Sequence, residues 1–247
     1  MADTDDANLD GRAVTPGLSE SLMALGRFVL SEQSLTESLQ RVAELSLRAV
    51  YGADGAGVTW VVAGKPTTVI AAGDFVRRID EIQYTLAEGP CLEAHDTQQM
   101  VLCENLEDDF RWPRFTPAAL GHGLRGVVAV PLAVRGTRLG ALNVYSLQAW
   151  VLDEAAGETA ELFAEQASIV LANADAFTRA QETAVSLGDA LTSRAVIDMA
   201  KGIIMAREGC DPDTAFNQLK RLSQASQRKL RVVAQSLVDD AKTYGGE

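Results

Sequence analysis

Nowhere does this 247-residue chain hold the roughly 18 uninterrupted apolar residues of a membrane-spanning helix, so no membrane span is expected. Its first residues, Met1 to Asp6, lack the basic start and apolar stretch of a secretory signal, which leads us to expect a cytoplasmic protein. Cysteine is scarce. Cys91, Cys103 and Cys210 are scattered and lack the CxxC spacing of zinc knuckles and redox pairs, so reduced thiols are expected. Only His95 and His122 supply imidazole, and with such thiols they form no metal constellation. One histidine would suffice for a haem, but nothing else in the sequence supports one; the cofactor stays unknown and none is required. Neither GxxxxGK[ST] nor GxGxxG occurs, which removes the common phosphate cradles.

Cys91 precedes His95 by four residues, one helical turn, and a histidine beside a thiol can favour the thiolate. No orienting partner or oxyanion device accompanies them, so we expect no enzyme and read Cys91 as a packed or redox-sensitive thiol. A redox enzyme using Cys91 is the rival class, tested by turnover of a peroxide or thiol.

Acid is missing where base is concentrated. Residues 217–231 contain Lys220, Arg221, Arg228, Lys229 and Arg231 and no aspartate or glutamate, in a chain with 34 acids against 22 lysines and arginines. Residues 192–247 hold nine basic and seven acidic side chains, which leaves 13 basic against 27 acidic in the rest. Such a reversal suits a phosphate-binding surface, although solvated faces of ordinary helices, or a surface for an acidic protein partner, fit the charge alone equally.

The same region reads as three short helices. Ile197 to Met205 is an apolar helical run closed by Gly209, and Asp211-Pro212 restarts the chain as cap and first position. Ala215, Phe216, Leu219 and Leu222 then share one face. A polar break at Ser223 to Gln227 precedes a third helix on Leu230, Val233, Leu237 and Val238. Phe216 is expected in the core, whereas Lys201, with the five cations above, is suited to phosphates and loop bases. Glycine within a helix costs about 1 kcal/mol relative to alanine, so Gly202 predicts close approach of another helix or of RNA backbone.

Earlier in the chain, residues 1–17 have no apolar periodicity and read as a mobile tail. Helical stripes follow at Leu22, Leu25 and Val29, and at Leu35, Leu39, Val42, Leu45 and Ala49. Ala56 to Ala63 and Thr67 to Ala71 form a predicted hairpin around Gly64-Lys65-Pro66. Gly89-Pro90 opens a short helix over Cys91 to Asp96, Met100 to Cys103 is a candidate strand, and Arg111 to Phe115 is a loop anchored by Trp112. Gly126 to Val134 and Leu139 to Ser146 make a second hairpin. About five strands with flanking helices describe an α+β domain, with Trp60 in its core or lining a pocket. Asp153 to Arg194, free of proline, predicts a long connecting helix. Phe163, Val170, Phe177, Ala184 and Leu191 recur every seven residues, with Ile169, Ala180 and Leu187 between them. We expect core packing up to about Phe177, a parallel dimeric coil beyond it, and a hinge at Gly188-Asp189.

Two resemblances extend this reading. Ala200-Lys201-Gly202-Ile203-Ile204-Met205, Ala215-Phe216 with Leu219, Ser223, and Arg228-Lys229-Leu230-Arg231 with Val233-Ala234 resemble the ANTAR family of transcription antitermination regulators. That resemblance implies a dimeric three-helix domain binding stem-loops in nascent RNA, with Ala200, Gly202, Ala215, Phe216, Leu219 and Ala234 as its core motif. Glu88-Gly89-Pro90-Cys91-Leu92-Glu93-Ala94, Asp109 to Phe115, Gly123 to Val127 and Pro131 to Tyr145 are similar to GAF domains, especially those fused to ANTAR domains in actinobacteria. GAF domains are small-molecule or redox sensors, and Trp60, Cys91 and His95 are the candidate sensor-pocket residues. The implied layout is a tail (1–17), a GAF-like antiparallel sheet with flanking helices (18–175), a helical linker (176–191) and a three-helix ANTAR domain (192–247). A homodimer that binds RNA and an unidentified small molecule follows from it. A ligand-binding or dimerisation module acting through a protein partner is the alternative.

Overall fold

The computed structural model describes residues 16–28, 34–62 and 65–244. Residues 1–15 of the expected tail, Val29 of the first stripe and the turn residues Ala63 and Gly64 lie outside the described residues. In chain order the elements are α1 (Pro16–Phe28), α2 (Leu35–Ala49), β1 (Gly55–Val62), β2 (Lys65–Ala72), α3 (Val76–Leu86), α4 (Pro90–Thr97), β3 (Val101–Cys103), α5 (Phe115–Gly121), β4 (Gly126–Val134), β5 (Thr137–Ser146), α6 (Glu154–Glu208), α7 (Pro212–Ser226) and α8 (Leu230–Tyr244). The five strands form one sheet in the order β2-β1-β5-β4-β3, with every neighbouring pair antiparallel.

Strand side chains alternate between faces, and here the alternation sorts two cores by parity. Even-numbered Val58, Trp60, Val128, Val130, Leu142 and Val144 pack with α1, α2 and the start of α6. Odd-numbered Val101, Cys103, Val127, Ala129 and Tyr145 pack with Ile79 of α3, Ala94 of α4 and Phe115 of α5. Trp60 is therefore a core residue of the first face. The start of α2 is fixed by a reciprocal cap: Glu37 N donates to the Ser34 hydroxyl and Ser34 N to the Glu37 carboxylate.

Helix α6 is 55 residues long. Ala160, Phe163, Ala164, Ala167, Val170 and Leu171, spaced by three and four, are buried against the sheet. Burial in this core ends there, and Phe177 is 44% exposed. Two expectations change. The first of the three short helices is not separate, because no residue between Arg194 and Ile197 breaks the helix and α6 continues to Glu208. Likewise the polar segment from Ser223 stays helical through Ser226, where Ser226 Oγ donates back to the Leu222 carbonyl at 2.6 Å and the left-handed Gln227 ends the helix; polarity alone does not stop a helix.

The chain divides into two compact units between Thr178 and Arg179. In the second, the end of α6 supplies Ala200 and Ile204, α7 supplies Ala215 and Leu219, and α8 supplies Ala234 and Val238 to a small core. Asp211 caps α7, accepting from the Asp213 and Thr214 amides at 2.9 Å each. Phe163→Ala is expected to destabilise the first unit by about 3–5 kcal/mol, whereas Phe177→Ala should cost no more than about 0.5 kcal/mol. Denaturant unfolding of the two variants checks the contrast.

Candidate sensor core and nucleic-acid interface

Beneath the odd-numbered face of the sheet lies a buried polar cluster. Thr59, Asp80, Gln83, Cys91, Asn143 and Tyr145 are all at most 1% exposed. They meet because 59 on β1 and 143 and 145 on β5 share a face, while 80 and 83 are one turn apart on α3. The Tyr145 hydroxyl donates to Asp80 Oδ1 at 2.5 Å and accepts from Gln83 Nε2 at 3.0 Å. Asn143 Nδ2 donates to Thr59 Oγ1 at 3.2 Å, and Thr59 Oγ1 lies 3.0 Å from Cys91 Sγ and 2.7 Å from the Tyr84 hydroxyl. Gln83 Oε1 accepts from the Cys91 amide at 2.9 Å, tying α3 to the first turn of α4. Among the described residues Asn143 Oδ1 has no partner. At Gly89, φ is +145° and a Cβ would fall 2.5 Å from Gln83 Oε1, so both backbone and space require glycine.

Charge around this cluster favours protonated acids. Burial, and then the nearby Asp80 carboxylate, push the Cys91 thiol up to about 12. The same two causes push the Tyr145 hydroxyl well above its ordinary range. Burial and this upward shift together disfavour a Cys91 thiolate at neutral pH. His95, one turn on, is half-buried and places Nδ1 3.0 Å from Asp96 Oδ1. Trp60 does not join Cys91 on this face, because Thr59 faces Cys91 and the next residue, Trp60, packs in the core of the other face.

The motif Glu88-Gly89-Pro90 serves packing. Glu88 accepts from the Arg114 and Phe115 amides at 2.7 and 2.9 Å at the start of α5, and the Phe115 amide is the main cause that holds its carboxyl below the usual range. Trp112 anchors the preceding loop by donating Nε1 to Glu93 at 2.8 Å, with the Arg111 guanidinium 4.4 Å from its ring centroid.

Sequence reasoning missed Asp80, Gln83, Asn143 and Tyr145. Two signals were present: polar residues at alternate positions of the apolar strand Leu139 to Ser146, and a polar pair three apart on the buried face of α3.

In the second unit the cations stand on the surface. Lys220, Arg221, Arg228, Lys229 and Arg231 are exposed, and none pairs with a carboxylate among the described residues. Lys220 Nζ sits 5.4 Å from the ring centroid of the half-buried Phe216, and Arg228 Nη2 donates to Ser236 Oγ at 3.1 Å. Lys201 differs: it is only 25% exposed and its Nζ lies 3.3 Å from Asp198. Ala200, Ala215, Leu219 and Ala234 are fully buried, as a core requires. Gly202 departs from that group. It is exposed, and a Cβ there would meet nothing within 4 Å, so nothing described in this chain makes the close approach expected at it.

Residues 32–172 match the GAF domain and residues 186–238 the ANTAR domain. The chain belongs to the GAF family and carries an ANTAR domain. No curated protein matches it. Among solved structures, free methionine-R-sulfoxide reductase from Neisseria meningitidis is similar to the GAF unit at 18% identity and TM-score 0.52, covering 68% of this chain and 95% of that one. The GAF domain of a phosphoenolpyruvate-protein phosphotransferase from Coxiella burnetii is similar at 16% identity and TM-score 0.51, covering 66% and 98%. At these identities the likeness is one of fold. GAF and ANTAR are regulatory domains, and ANTAR brings RNA binding and antitermination.

Because the folded pKa of Cys91 is raised, its contribution to GAF-domain stability is fully present below about 9 and lost as pH rises through about 12. Native protein at about pH 8 should leave Cys91 and Cys103, both buried with thiols pushed to about 12, unmodified by iodoacetamide, while half-buried Cys210 reacts. Mass spectrometry of the alkylated peptides, with and without denaturant, reads this directly.

Proposed function

We propose that this GAF–ANTAR protein is a signal-responsive regulator whose ANTAR domain binds stem-loops in nascent RNA and prevents termination, acting in the cytoplasm where transcripts form. One observation carries it: five cations on α7, α8 and the turn between them, clear of carboxylates in a chain of net charge −12. Cations not neutralised internally are available for phosphates, and each phosphate neutralised releases counterions. Lys220, Arg221, Arg228, Lys229 and Arg231 supply most of the contact; Lys201, already beside Asp198, contributes less.

The signal is a small molecule rather than an oxidant, since a buried, protonated Cys91 is a poor target for oxidation. Its receptor is the polar cluster under α3 and α4, where Asn143 Oδ1 can accept a hydrogen bond. The protein works as a homodimer. Between Arg179 and Thr192 every residue of α6 is exposed, including Val185, Leu187 and Leu191, the last being 61% exposed. Leu187 and Leu191 belong to an apolar stripe with Phe177, Ala180 and Ala184, suited to the same stripe of a second copy. Two ANTAR domains on one RNA then raise the effective concentration of the second contact.

Crosslinking in the native cell followed by sequencing of the recovered RNA tests the reading; enrichment of stem-loops upstream of terminators is expected. On such an RNA, Arg221→Ala and Lys229→Ala should each weaken binding by about 1 kcal/mol and lower the salt slope by about 1. Unchanged affinity and slope in folded variants would remove the assignment, and capture of an acidic protein in place of RNA would favour the partner-protein reading. Leu187→Glu combined with Leu191→Glu should give a monomer by sedimentation and lose the avidity of RNA binding.

A further inference from the structure

Antiparallel pairing gathers the end of β5, the start of β1, the start of β4 and the end of β3 at one end of the GAF sheet. The loops there touch one another. At Gly52 φ is +81° and a Cβ would collide with Val151 Cγ1, so only glycine lets residues 51–52 lie against 150–151. Leu147 N donates to Asp54 Oδ2 and Trp150 N to the Glu104 carbonyl, at 2.7 Å each. This packing leaves large apolar side chains outside: Tyr51 is 86% exposed, Trp150 62% and Leu147 43%. Among the described residues no ring or cation covers either aromatic. Trp150 also has φ +64°, a backbone that a bulky side chain rarely adopts and that the bond to Glu104 holds in place.

Charge decides what such a face can hold. Residues 48–54, 104–109, 122–125 and 147–154 carry seven acids against two arginines, and Arg125 is already paired with Glu107 at 3.7 Å, which leaves Arg48. Glu104 supplies the carbonyl that Trp150 binds, and Asp153 and Glu154 follow Trp150 by three and four residues. None of these three acids pairs with a cation among the described residues. RNA and anionic lipid are repelled by this surface, and the same face of a second copy would set acid against acid. A cationic chain segment fits it: lysine or arginine heads lie over ring faces, and their apolar stems cover them. We propose that this end of the GAF domain docks a basic segment of a partner protein, with Tyr51 and Trp150 as the anchors. The site is independent of the RNA-binding reading, since it uses no residue of the ANTAR domain and none of the buried polar cluster.

Random short peptides displayed on phage and selected on the full chain, free of RNA, provide the test. Wild-type protein should enrich peptides that combine lysine or arginine with an apolar residue, and their binding should weaken as salt rises. Trp150→Asn, asparagine being tolerant of the left-handed backbone, and Tyr51→Ser should each weaken a selected peptide about tenfold. Glu154→Gln should weaken it about threefold and flatten its salt dependence. RNA binding by all three variants should equal that of the wild type. If the selected peptides bind both aromatic variants as tightly as the wild type, they rest on acidic surface elsewhere and the site is overturned. Enrichment of no basic peptide overturns it as well. So does a smaller sedimenting species for Trp150→Asn or Tyr51→Ser without peptide, the face then being a contact between copies. None of these outcomes touches the RNA reading, which fails separately if no stem-loop is recovered.

Discussion

A carboxylate taken wholly out of water is the constraint on which the GAF domain of this chain depends. Asp80 is fully buried, and an ionised carboxylate in such a place is tolerated only with hydrogen-bond donors supplied around it. Tyr145, Gln83 and Asn143 bring donors to Oδ1 at 2.5, 3.4 and 3.5 Å. Each demand propagates. Tyr145 and Asn143 must alternate on β5 to share a face, Gln83 must follow Asp80 by one turn, and β1 must carry glycine at position 57, where a Cβ would stand 2.9 Å from the carboxylate. Burial first, and then the field of that charge, push the Cys91 thiol and the Tyr145 hydroxyl upward.

The two faces of the sheet are consequently different materials. The even-numbered face is an apolar seam of β-branched and leucine side chains against α1, α2 and α6, suited to rigidity. The odd-numbered face mixes apolar contacts with a polar network whose members depend on one another, so loss of one partner strands others. A small molecule able to replace some of these hydrogen bonds would change the energy of α3 and α4 far more than that of α2, because Gln83 and the Cys91 amide are the link between the first two. Sensing by population shift needs such a differential contact.

Much of this architecture was legible in the sequence, and the failures have a common origin. Periodicity of two found the strands of both hairpins, and periodicity of three and four found α2, α7 and α8, because one buried face writes itself into the order of residues. The Asp211-Pro212 start of α7 was equally plain, its aspartate accepting the two amides that a cap should. What periodicity does not carry is which face meets which partner. Trp60 and Cys91 were therefore grouped although parity sets them apart, and Asp80 was passed over because a lone acid on a helix reads as exposed. At Gly202 this chain itself supplies no neighbour, which leaves a second copy or RNA backbone as the partner that its lack of a side chain would admit. The exposed cations of 217–231 were visible in composition, since an acid-free run of residues requires no fold to be seen.

The balance of charge differs between the two units, with 13 basic against 27 acidic residues before residue 192 and nine against seven from there on. In the GAF domain three arginines are tied to carboxylates, Arg111 to Asp109, with Nη2 2.5 Å from Oδ2, Arg114 to Glu88 at 3.0 Å and Arg125 to Glu107 at 3.7 Å, whereas Arg77, Arg78, Arg135 and Arg138 are exposed without a carboxylate partner among the described residues. The Arg111 pair holds the Asp109 carboxyl below its usual range even though burial pulls the other way. The three paired arginines are committed to loop geometry and offer little to an anion. In the ANTAR domain the cations of α7 and α8 have no such partners, although acids outnumber bases across the chain. A polyanion therefore finds its attractive surface in one unit and excess acid in the other, which discourages non-specific wrapping of RNA over the sensor. At physiological salt the screening length is about 8 Å, so this discrimination acts through local charge rather than the net charge of the molecule. Five cations gathered in the acid-free stretch 217–231 therefore give an otherwise acidic chain one short helical surface on which a polyanion is locally attracted.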